Sequence, residues 1–324
     1  MKLGIIGTSA ISHEFVQAAV DTNLYEPYAV YSRSAETGGK YAAYYHIPNV
    51  FTKLEDLTSC PDLDVVYIAS PNGLHFSQAK VCLLAGKHVI VEKPAVATVA
   101  QLDELLVIAR ENNVFLLEAI RPMYSPDLAV LKDAVEKIAP IHYAYFNYMK
   151  YSSKYDAYKQ GKNPPVFSAE YDGGALADLG IYSLYLCVAL FGEPDSSSCT
   201  SKLIPGGVDG VSTQVLEYNG FCAVLSSSKI SFSLLPSEIQ GENGTVTIEN
   251  PTSLDTIRLH TRENGEQLLS TERAPSMFCQ QKALARILLE RDAGAYEDAC
   301  QRMRCCIGLL ETGRRQAGIC SSVL

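Results

Sequence analysis

The first 118 residues alternate between short apolar runs and longer stretches in which apolar and polar positions recur at helical spacing. Short runs of consecutive apolar residues are typical of strands buried on both faces of a sheet, and the stretches between them are typical of amphipathic helices. The runs predict strands at residues 3–6, 28–31, 65–69, 89–91 and 114–117. The stretches predict helices at residues 11–20, 36–45, 76–85 and 98–112.

Strands that alternate with helices in this order predict a parallel sheet with crossover helices, which is a doubly wound α/β fold of Rossmann type. Two local signals support the helix ends. Gly86 follows one predicted helix, and glycine adopts the left-handed conformation that ends helices without a Cβ penalty. Thr98 and Gln101 have the spacing of a capping box, which is typical of the first turn of a helix.

After Arg121 the alternation stops, and the pattern changes to that of an α+β domain. Short segments separated by turn residues are typical of a large, mostly antiparallel open sheet. In chain order, we predict a strand at 141–148, a tyrosine-rich loop at 151–167, a helix from Gly173-Gly174 to about Leu190, the open sheet at 198–270 and helices at 278–317.

These patterns predict two domains, and 324 residues are enough for each domain to bury its own core. The first is a dinucleotide-binding domain at residues 1–120. The second is a substrate-binding and oligomerisation domain at residues 121–324. The C-terminal helices at 278–317 are candidates to pack back on the first domain.

Composition excludes several classes of protein. The net charge is −9, whereas nucleic-acid binding needs clustered Lys and Arg, so we expect no nucleic-acid partner. The ten cysteines have no paired short spacing and the chain begins directly in a strand pattern, which favours a reducing cytoplasm over secretion. The longest nearly apolar run, residues 181–191, is too short to span a bilayer, so we expect no membrane partner. No cluster of residues suggests a metal.

The turn after the first strand is the first candidate for ligand binding. In dinucleotide folds the pattern G-x-G-x-x-G lets the backbone approach a pyrophosphate at a helix N-terminus. Here only the first position is glycine, with Ser9 and Ser12 at the other two, and a serine hydroxyl can donate to a phosphate oxygen. An ordinary strand-to-helix turn is the alternative. The position in the βα series favours cofactor binding by Gly7, Thr8, Ser9, Ala10 and Ile11.

The end of the second strand predicts which nucleotide is preferred. An acidic residue at this place accepts from the ribose 2′-hydroxyl of NAD, whereas arginine accommodates the 2′-phosphate of NADP. The sequence has Ser32 and Arg33 here, and no acid until Glu36. A guanidinium beside hydroxyls suits a phosphate dianion, although a solvated loop arginine is the alternative. We predict binding of NADP(H) in preference to NAD(H).

Three segments together resemble the Gfo/Idh/MocA oxidoreductase family. They are residues 68–75 (IASPNGLH), 85–94 (AGKHVIVEKP) and 173–182 (GGALADLGIY). The resemblance covers essentially the whole chain. The Asp-x-x-x-Tyr ending is most similar to the branch of glucose–fructose oxidoreductase and the dimeric dihydrodiol dehydrogenases, since many other members have histidine in place of Tyr182.

The resemblance implies a catalytic group of three residues. Lys93 matches the family lysine beside the nicotinamide, and Tyr182 matches its proton donor or acceptor. A nearby ammonium stabilises a phenolate, which favours proton exchange by a tyrosine at neutral pH. Asp178 lies one helical turn before Tyr182, so the two side chains share a face and Asp178 is expected to hold Lys93. A surface Lys-Pro turn and a packing tyrosine are the alternatives.

The other matches concern the cofactor. By resemblance, the residues after the third predicted strand contact the pyrophosphate and the nicotinamide ribose, and Glu92 lies near the nicotinamide. His75 has an alternative role as the first residue of a helix. The expected cofactor-binding residues in these segments are Ser70, Pro71, Asn72, His75, Glu92, Lys93 and Arg121.

The resemblance implies reversible hydride transfer between nicotinamide C4 and a secondary alcohol or hemiacetal carbon of a sugar, cyclitol or diol. The partner is then a small polyol, sugar or carbonyl substrate, with loop residues 150–167 as candidate walls. The family also implies a homodimer, or a higher homo-oligomer, formed through the open face of the second sheet. A non-catalytic NAD(P) sensor on the same fold is the rival interpretation.

Overall fold

The computed structural model describes residues 1–270 and 275–322, with Ser276 through its backbone only. The chain divides into two compact units. Unit 1 comprises Met1–Ala119 and Met277–Gln301, and unit 2 comprises Ile120–Ser276 and Arg302–Leu324. Residues 271–274 and 323–324 of the predicted second domain lie outside the described residues.

Unit 1 is built on a six-stranded parallel sheet. Its strands are β1 (Lys2–Ile6), β2 (Glu26–Tyr31), β3 (Asn49–Phe51), β4 (Val65–Ile68), β5 (His88–Glu92) and β6 (Leu116–Ala119). The spatial order is β3-β2-β1-β4-β5-β6, so the direction of winding reverses between β1 and β4. Ligands bind outside the carboxyl ends of the strands at such a reversal. The five predicted strands are confirmed, and the short strand β3 was missed because none of its residues is buried.

Within residues 1–119, five α-helices connect these strands; four of them begin and end close to the predicted residues, and the short third helix was not predicted. The five helices are α1 (Ala10–Asp21), α2 (Ala35–Tyr45), α3 (Leu54–Thr58), α4 (His75–Leu84) and α5 (Val99–Glu111). Gly86 has φ +70°, as its predicted role in ending α4 requires. Thr98 caps α5 by accepting from the Gln101 N–H at 3.2 Å, and the Gln101 side chain accepts from the Ala97 N–H at 3.1 Å.

The sheet of unit 1 is buried by these helices. All four residues of β4 are buried, and Tyr67 in this strand stacks on Phe15 of α1 with ring centroids 3.5 Å apart. Both side chains are fully buried, and burial of a large apolar side chain stabilises the folded state by about 1.5–3 kcal/mol. The packing fixes the start of α1 beside the ends of β1 and β4.

Unit 2 is built on an eight-stranded sheet. Its strands are β7 (Ile141–Met149), β8 (Ser196–Leu203), β9 (Asp209–Tyr218), β10 (Phe221–Ser228), β11 (Ser237–Gly241), β12 (Gly244–Ile248), β13 (Ile257–Thr261) and β14 (Gly265–Leu268). The order is β14-β13-β12-β11-β7-β10-β9-β8. Neighbouring strands are antiparallel except β10 and β7, which are parallel and end together at Ser228 and Met149. The prediction of a large, mostly antiparallel sheet is confirmed.

The helices of unit 2 differ from the sequence prediction in three places. They are α6 (Asp127–Ile138), α7 (Tyr155–Lys159) and α8 (Ile181–Phe191). Helix α6 was not predicted, and α7 lies inside the predicted loop at 151–167. The helix predicted after Gly173-Gly174 consists of a π-helical segment (Leu176–Gly180) followed by α8.

The apolar segment around α8 is longer than predicted. Helical residues Ala169–Phe191 are together long and apolar enough to cross a membrane, which corrects the expectation from residues 181–191 alone. Within the protein, however, 72% of the most apolar window is buried, as in a core helix.

The predicted C-terminal helical region is confirmed as two helices, α9 (Ser276–Glu290) and α10 (Ala293–Gln316). They are separated at Arg291, which has φ +52°. A residue in this left-handed conformation ends one helix and redirects the chain into the next.

Candidate active site in the two units

The turn after β1 lies at the point where the strand order reverses. The Ala69 N–H donates to the Ile6 carbonyl at 2.8 Å, so the ends of β1 and β4 lie side by side. Gly7 has φ +104°, and a Cβ atom there would lie only 2.6 Å from the Ala69 carbonyl oxygen. No other residue fits without a backbone shift. Glycine at this position therefore lets the end of β1 pass closely beside Ala69 at the carboxyl edge of the sheet.

The N-terminus of α1 follows directly and suits an anion. Ser9 is the N-cap residue, its hydroxyl makes no capping bond to the described backbone, and its carbonyl accepts from the His13 N–H. The N–H groups of Ala10 and Ile11 therefore have no intrahelical acceptor, and the helix dipole favours negative charge beside them. Ser9 and Ala10 are exposed and Thr8 is half-buried. These residues fit a pyrophosphate.

Ser12, the third position of the glycine pattern, has another role. Its buried hydroxyl lies 2.8 Å from the Gly7 carbonyl oxygen and 2.7 Å from the Tyr41 hydroxyl. Both contacts are inside unit 1, so Ser12 braces the loop and does not offer its hydroxyl to a phosphate. Burial raises the pKa of Tyr41 and keeps this phenol neutral.

The end of β2 presents a cation beside a helix N-terminus. Arg33 is exposed and immediately precedes Ser34, the N-cap residue of α2. The Ser32 hydroxyl accepts from the Ser34 N–H at 3.3 Å. Glu36, the first acid after β2, contacts Lys40 at 2.6 Å along the outside of α2. The guanidinium, and no carboxylate, therefore lies at the end of this strand.

The segment after β4 contains Ser70 and Pro71, then a 3₁₀ turn (Asn72–Leu74), and all of these residues are half-buried. The Ser70 hydroxyl donates to the Gln78 side chain at 2.7 Å. Ser70 also offers its carbonyl to the ring of His75, the first residue of α4. The segment is thus held in place by α4 at the carboxyl edge of the sheet.

His75 links two loops at this edge. It is fully buried, with Nε2 2.9 Å from the Ser70 carbonyl oxygen and Nδ1 2.9 Å from the Pro94 carbonyl oxygen. A ring nitrogen donates to a carbonyl only when it carries a proton, so both contacts are hydrogen bonds only in the doubly protonated ring. Since both nitrogens face the backbone, the geometry gives His75 a role in positioning the Ser70 and Pro94 loops.

The end of β5 carries Lys93, half-buried, in a turn held by two buried glutamates. Glu92 accepts from the Tyr67 hydroxyl at 2.8 Å and from the Lys93 N–H at 3.3 Å. Glu118 of β6 accepts from the Ala95 N–H at 2.7 Å. The two carboxylates are thereby bonded within unit 1, and they fix the backbone on both sides of the Lys93-Pro94 peptide.

In unit 2, the segment that carries Asp178 and Tyr182 is anchored at its start by Asp209. This carboxylate is buried and accepts from the Leu176 N–H at 2.6 Å and from the Ser212 hydroxyl at 2.5 Å. Burial raises the pKa of Asp209, and these two bonds oppose the shift. A side chain on Gly174, which has φ +118°, would collide with the same carboxylate. Gly174 therefore allows the chain to pass Asp209 closely, while Gly173 lies against the backbone of Pro165 and Val166.

Asp178 is the one residue between Asp172 and Cys187 that is not buried. It lies in the π-helical segment, one turn before Tyr182 of α8. Tyr182 is 5% exposed, and its ring is perpendicular to that of Tyr148 with centroids 5.8 Å apart. Helical segments of π type occur frequently at functional sites. The predicted carboxylate and phenol therefore lie on one continuous helical segment of unit 2.

Lys229 was missed by the sequence analysis and lies against Asp178. It follows β10 directly, its side chain is 6% exposed, and its ammonium forms an ion pair with the Asp178 carboxylate. No sequence signal pointed to it, because Lys229 follows three serines, whereas Lys93 was identified by the match of residues 85–94 to the family. Arg121, also in unit 2, is half-buried and begins a 3₁₀ turn (Arg121–Tyr124) that contacts α8.

Metal and thiol chemistry have little support in this structure. Among residues 1–270 and 275–322, no group of three or more His, Cys, Asp and Glu side chains is arranged to hold a metal ion. None of the ten cysteines forms a disulfide. Burial raises the pKa of Cys82 to about 12, which makes this thiol a poor nucleophile.

Comparisons with known proteins identify the family of both parts of the chain. Residues 1–119 match the profile of the GFO_IDH_MocA oxidoreductase family with an NAD-binding Rossmann fold, and residues 138–247 match the GFO/IDH/MocA C-terminal domain. The chain is 35% identical over 320 residues to scyllo-inositol 2-dehydrogenase (NADP(+)) IolU of Bacillus subtilis, and the matched region covers 98% of each chain. It is 31% identical over 266 residues to the trans-1,2-dihydrobenzene-1,2-diol dehydrogenase of Xenopus laevis, and this match covers 78% of each chain.

Solved structures share the fold. KijD10, a 3-ketoreductase from Actinomadura kijaniata in complex with NADP and TDP-benzene, superposes with a TM-score of 0.86 at 20% identity, over 98% of both chains. A levoglucosan dehydrogenase in complex with NADH and levoglucosan gives a TM-score of 0.84 at 17% identity, over 98% of both chains. Together with the two profile matches and the similarity to IolU, the βα series and the three sequence motifs establish that this chain belongs to the Gfo/Idh/MocA family of oxidoreductases.

Proposed function

We propose that the protein is an NADP(H)-preferring dehydrogenase or reductase that acts on the CH–OH group of a sugar, cyclitol or diol. One observation in unit 2 carries the proposal. The half-exposed Asp178 precedes the buried Tyr182 by one helical turn. Two relatives support the substrate class by their names, one acting on scyllo-inositol and one on a dihydrobenzene diol.

Most of the residues that would hold the dinucleotide lie along the carboxyl edge of unit 1, and Arg121 belongs to unit 2. The free N–H groups of α1 suit the pyrophosphate, and the segment after β4 would contact the nicotinamide half. The proposed binding residues are Gly7, Thr8, Ser9, Ala10, Ile11, Ser32, Arg33, Ser70, Pro71, Asn72, Glu92, Lys93 and Arg121, with His75 positioning the loops. When bound, the nicotinamide supplies hydride exchange with the carbon that carries the reacting oxygen.

The protein's own part in the reaction is to move and stabilise a proton. Tyr182 would take the hydroxyl proton at its phenolic oxygen during oxidation and return it during reduction. The Lys93 ammonium would stabilise the negative charge that develops on that oxygen. Asp178 would accept a hydrogen bond and orient the reacting groups. Tyr182 is 5% exposed, so the side chain as a whole has little contact with water.

The preference for NADP(H) is proposed from the end of β2. Arg33 and the first turn of α2 present positive charge and free N–H groups, which suit the 2′-phosphate. Glu36 is paired with Lys40 and offers no carboxylate to a 2′-hydroxyl in this arrangement. The names of IolU and of the KijD10 complex, which both include NADP, agree with the preference.

We also propose that the protein works as a homodimer, or a higher homo-oligomer, in a reducing cytoplasm. Ten cysteines without a disulfide suit a reducing compartment. Side chains alternate between buried and half-buried over residues 210–216 of β9 and 222–225 of β10, which leaves this part of one sheet face open. On that face Val224 lies between Val215 and Tyr145, and an accessible patch of this kind suits pairing with a second copy.

The proposal is tested by the appearance or loss of reduced nicotinamide absorbance with a panel of aldoses, cyclitols, diols and the corresponding ketones. We expect turnover on at least one member, faster with NADP(H) than with NAD(H). Tyr182→Phe is expected to lower kcat by about 100-fold or more, the usual contribution of a general acid or base, with NADPH binding unchanged in fluorescence titration. Binding without turnover on every substrate, in wild type and variant alike, would support the sensor interpretation instead.

A further inference from the structure

Lys229 is a buried cation at the proposed active site, and no sequence motif assigns it a role. Lys229 as a whole is 5% exposed, and a lysine is almost never so deeply buried unless its ammonium is paired. Its ammonium meets Oδ2 of Asp178, and it also lies 5.9 Å from the centre of the Phe167 ring. The apolar ring on one side and the carboxylate on the other leave the ammonium little contact with water.

The backbone of Lys229 is held from both sides, so the base of its side chain is fixed, and the ion pair with Asp178 holds the ammonium at the other end. Its N–H donates to the Gly210 carbonyl at 2.9 Å, and its carbonyl accepts from the Ser152 N–H at 2.9 Å. It also follows directly the end of the parallel pairing of β10 with β7. A cation whose backbone is held at the end of β10, by β9 and by the Ser152 loop can fix the orientation of a neighbouring carboxylate.

We propose that Lys229 is a positioning residue for the reaction, acting through Asp178. The ion pair keeps the Asp178 carboxylate ionised and turned so that it orients the substrate hydroxyl but does not carry the proton. It also offsets the negative charge of Asp178 beside Tyr182, since an uncompensated carboxylate one turn away would disfavour negative charge on the phenolic oxygen. This role rests on the proposed function of Asp178 and Tyr182.

A double-mutant cycle separates action through Asp178 from an independent effect. Lys229→Met is expected to lower kcat by about tenfold or more, because small misplacements of catalytic groups cost up to about 100-fold. In the Asp178→Asn background the same change is expected to alter kcat less than about twofold, since coupled residues are not additive. Equal losses in the two backgrounds would overturn the proposal.

Matched variants control for charge and folding. Lys229→Arg keeps the charge and is expected to recover part of the activity lost in Lys229→Met. Lys202→Met removes an exposed lysine of the same unit and is expected to leave kcat as in wild type. A double-mutant cycle needs every variant folded, so Lys229→Gln, which keeps a polar side chain beside Asp178, replaces Lys229→Met in the cycle if Lys229→Met unfolds. Failure of Lys229→Arg to recover any activity in a folded protein would count against the charge role.

A second readout does not depend on turnover. Carbon-13 spectra of aspartate-labelled protein, with the Asp178 signal assigned from Asp178→Asn, follow the titration of this carboxyl group. Loss of the nearby ammonium is expected to move the Asp178 titration to higher pH in Lys229→Met than in wild type. An unchanged titration would overturn the proposal. An absence of activity on all substrates with a shifted titration would refute the proposed function but not the pairing of Lys229 with Asp178.

Discussion

Lys93 and Lys229 each follow a strand directly, and their surroundings give them different chemistry. Lys93 is half-buried in a turn whose backbone is held by the carboxylates of Glu92 and Glu118. Lys229 is buried, and its ammonium is paired with Asp178. The first arrangement holds the turn and leaves part of the lysine accessible, whereas the second uses the ammonium to hold another side chain. At the scale of single residues, the degree of burial and the ion pair therefore distinguish Lys93, which is proposed to stabilise the reacting oxygen, from Lys229, which is proposed to position Asp178.

Arg33 allows a direct test of cofactor preference. The double change Ser32→Asp, Arg33→Ala is expected to raise KM for NADP+ by about tenfold or more, because hydrogen bonds to charged groups contribute about 1.5–3 kcal/mol. The new aspartate is expected to lower KM for NAD+ by accepting from the ribose 2′-hydroxyl. Steady-state kinetics with both cofactors measure the change. Arg110→Ala, at an exposed arginine of α5, is the matched control, and an unchanged KM for NADP+ in the double variant would refute the preference.

At the scale of elements, strand and helix ends position the site. In unit 1 the carboxyl ends of β1, β2, β4 and β5 carry the proposed cofactor residues, because parallel strands all end at one edge. In unit 2 the change from π-helix to α-helix lies between Asp178 and Tyr182. Asp209 fixes the start of this segment through the Leu176 N–H. The residues are thus oriented by elements whose ends are themselves hydrogen-bonded.

The start of β5 supplies a prediction about stability and pH. Nδ1 of His88 accepts from the Phe115 N–H at 2.9 Å, which requires an unprotonated nitrogen. Burial, together with the charge of Arg291, lowers the pKa of His88 from 6.5 to about 4. The unfolded chain therefore binds a proton that the folded chain does not between these values, so stability is full above the unfolded pKa and decreases as pH falls toward 4.

We expect the melting temperature of the wild type to fall more steeply than that of His88→Asn between neutral pH and about pH 5. Asparagine keeps an acceptor near the position of Nδ1 and does not titrate. Thermal unfolding followed by circular dichroism across this range measures both slopes. Parallel slopes for the two proteins would show that His88 does not contribute to the acid sensitivity.

At the scale of the whole molecule, the two units contribute different halves of the proposed chemistry. Unit 1 holds most of the cofactor residues and Lys93, and unit 2 holds Asp178, Tyr182 and Lys229. The chain returns to unit 1 at Met277–Gln301 after it has formed the large sheet. Neither unit alone contains every residue proposed for catalysis, so activity requires the full chain.

The open face of the second sheet supplies a prediction about assembly. Val224→Glu places a charge among half-buried apolar side chains and is expected to convert the oligomer to a monomer, because burial of an unpaired charge is costly. Sedimentation velocity and light scattering measure the state. Val107→Glu, at a valine of α5 that is 47% exposed, is the matched control and is expected to leave the assembly intact. A dimer that persists in Val224→Glu would place the interface elsewhere.

Sequence by itself determined the parallel sheet of unit 1, the mostly antiparallel sheet of unit 2 and the family, because apolar period, turn residues and motifs are local signals. It also identified Gly7, and the positive φ and the close approach to Ala69 explain why this position is a glycine. Tertiary structure alone decided that Ser12 braces the loop, that both ring nitrogens of His75 face carbonyl oxygens, and that Lys229 meets Asp178. Each of these depends on which distant residue comes into contact, and periodicity along one chain does not record such contacts.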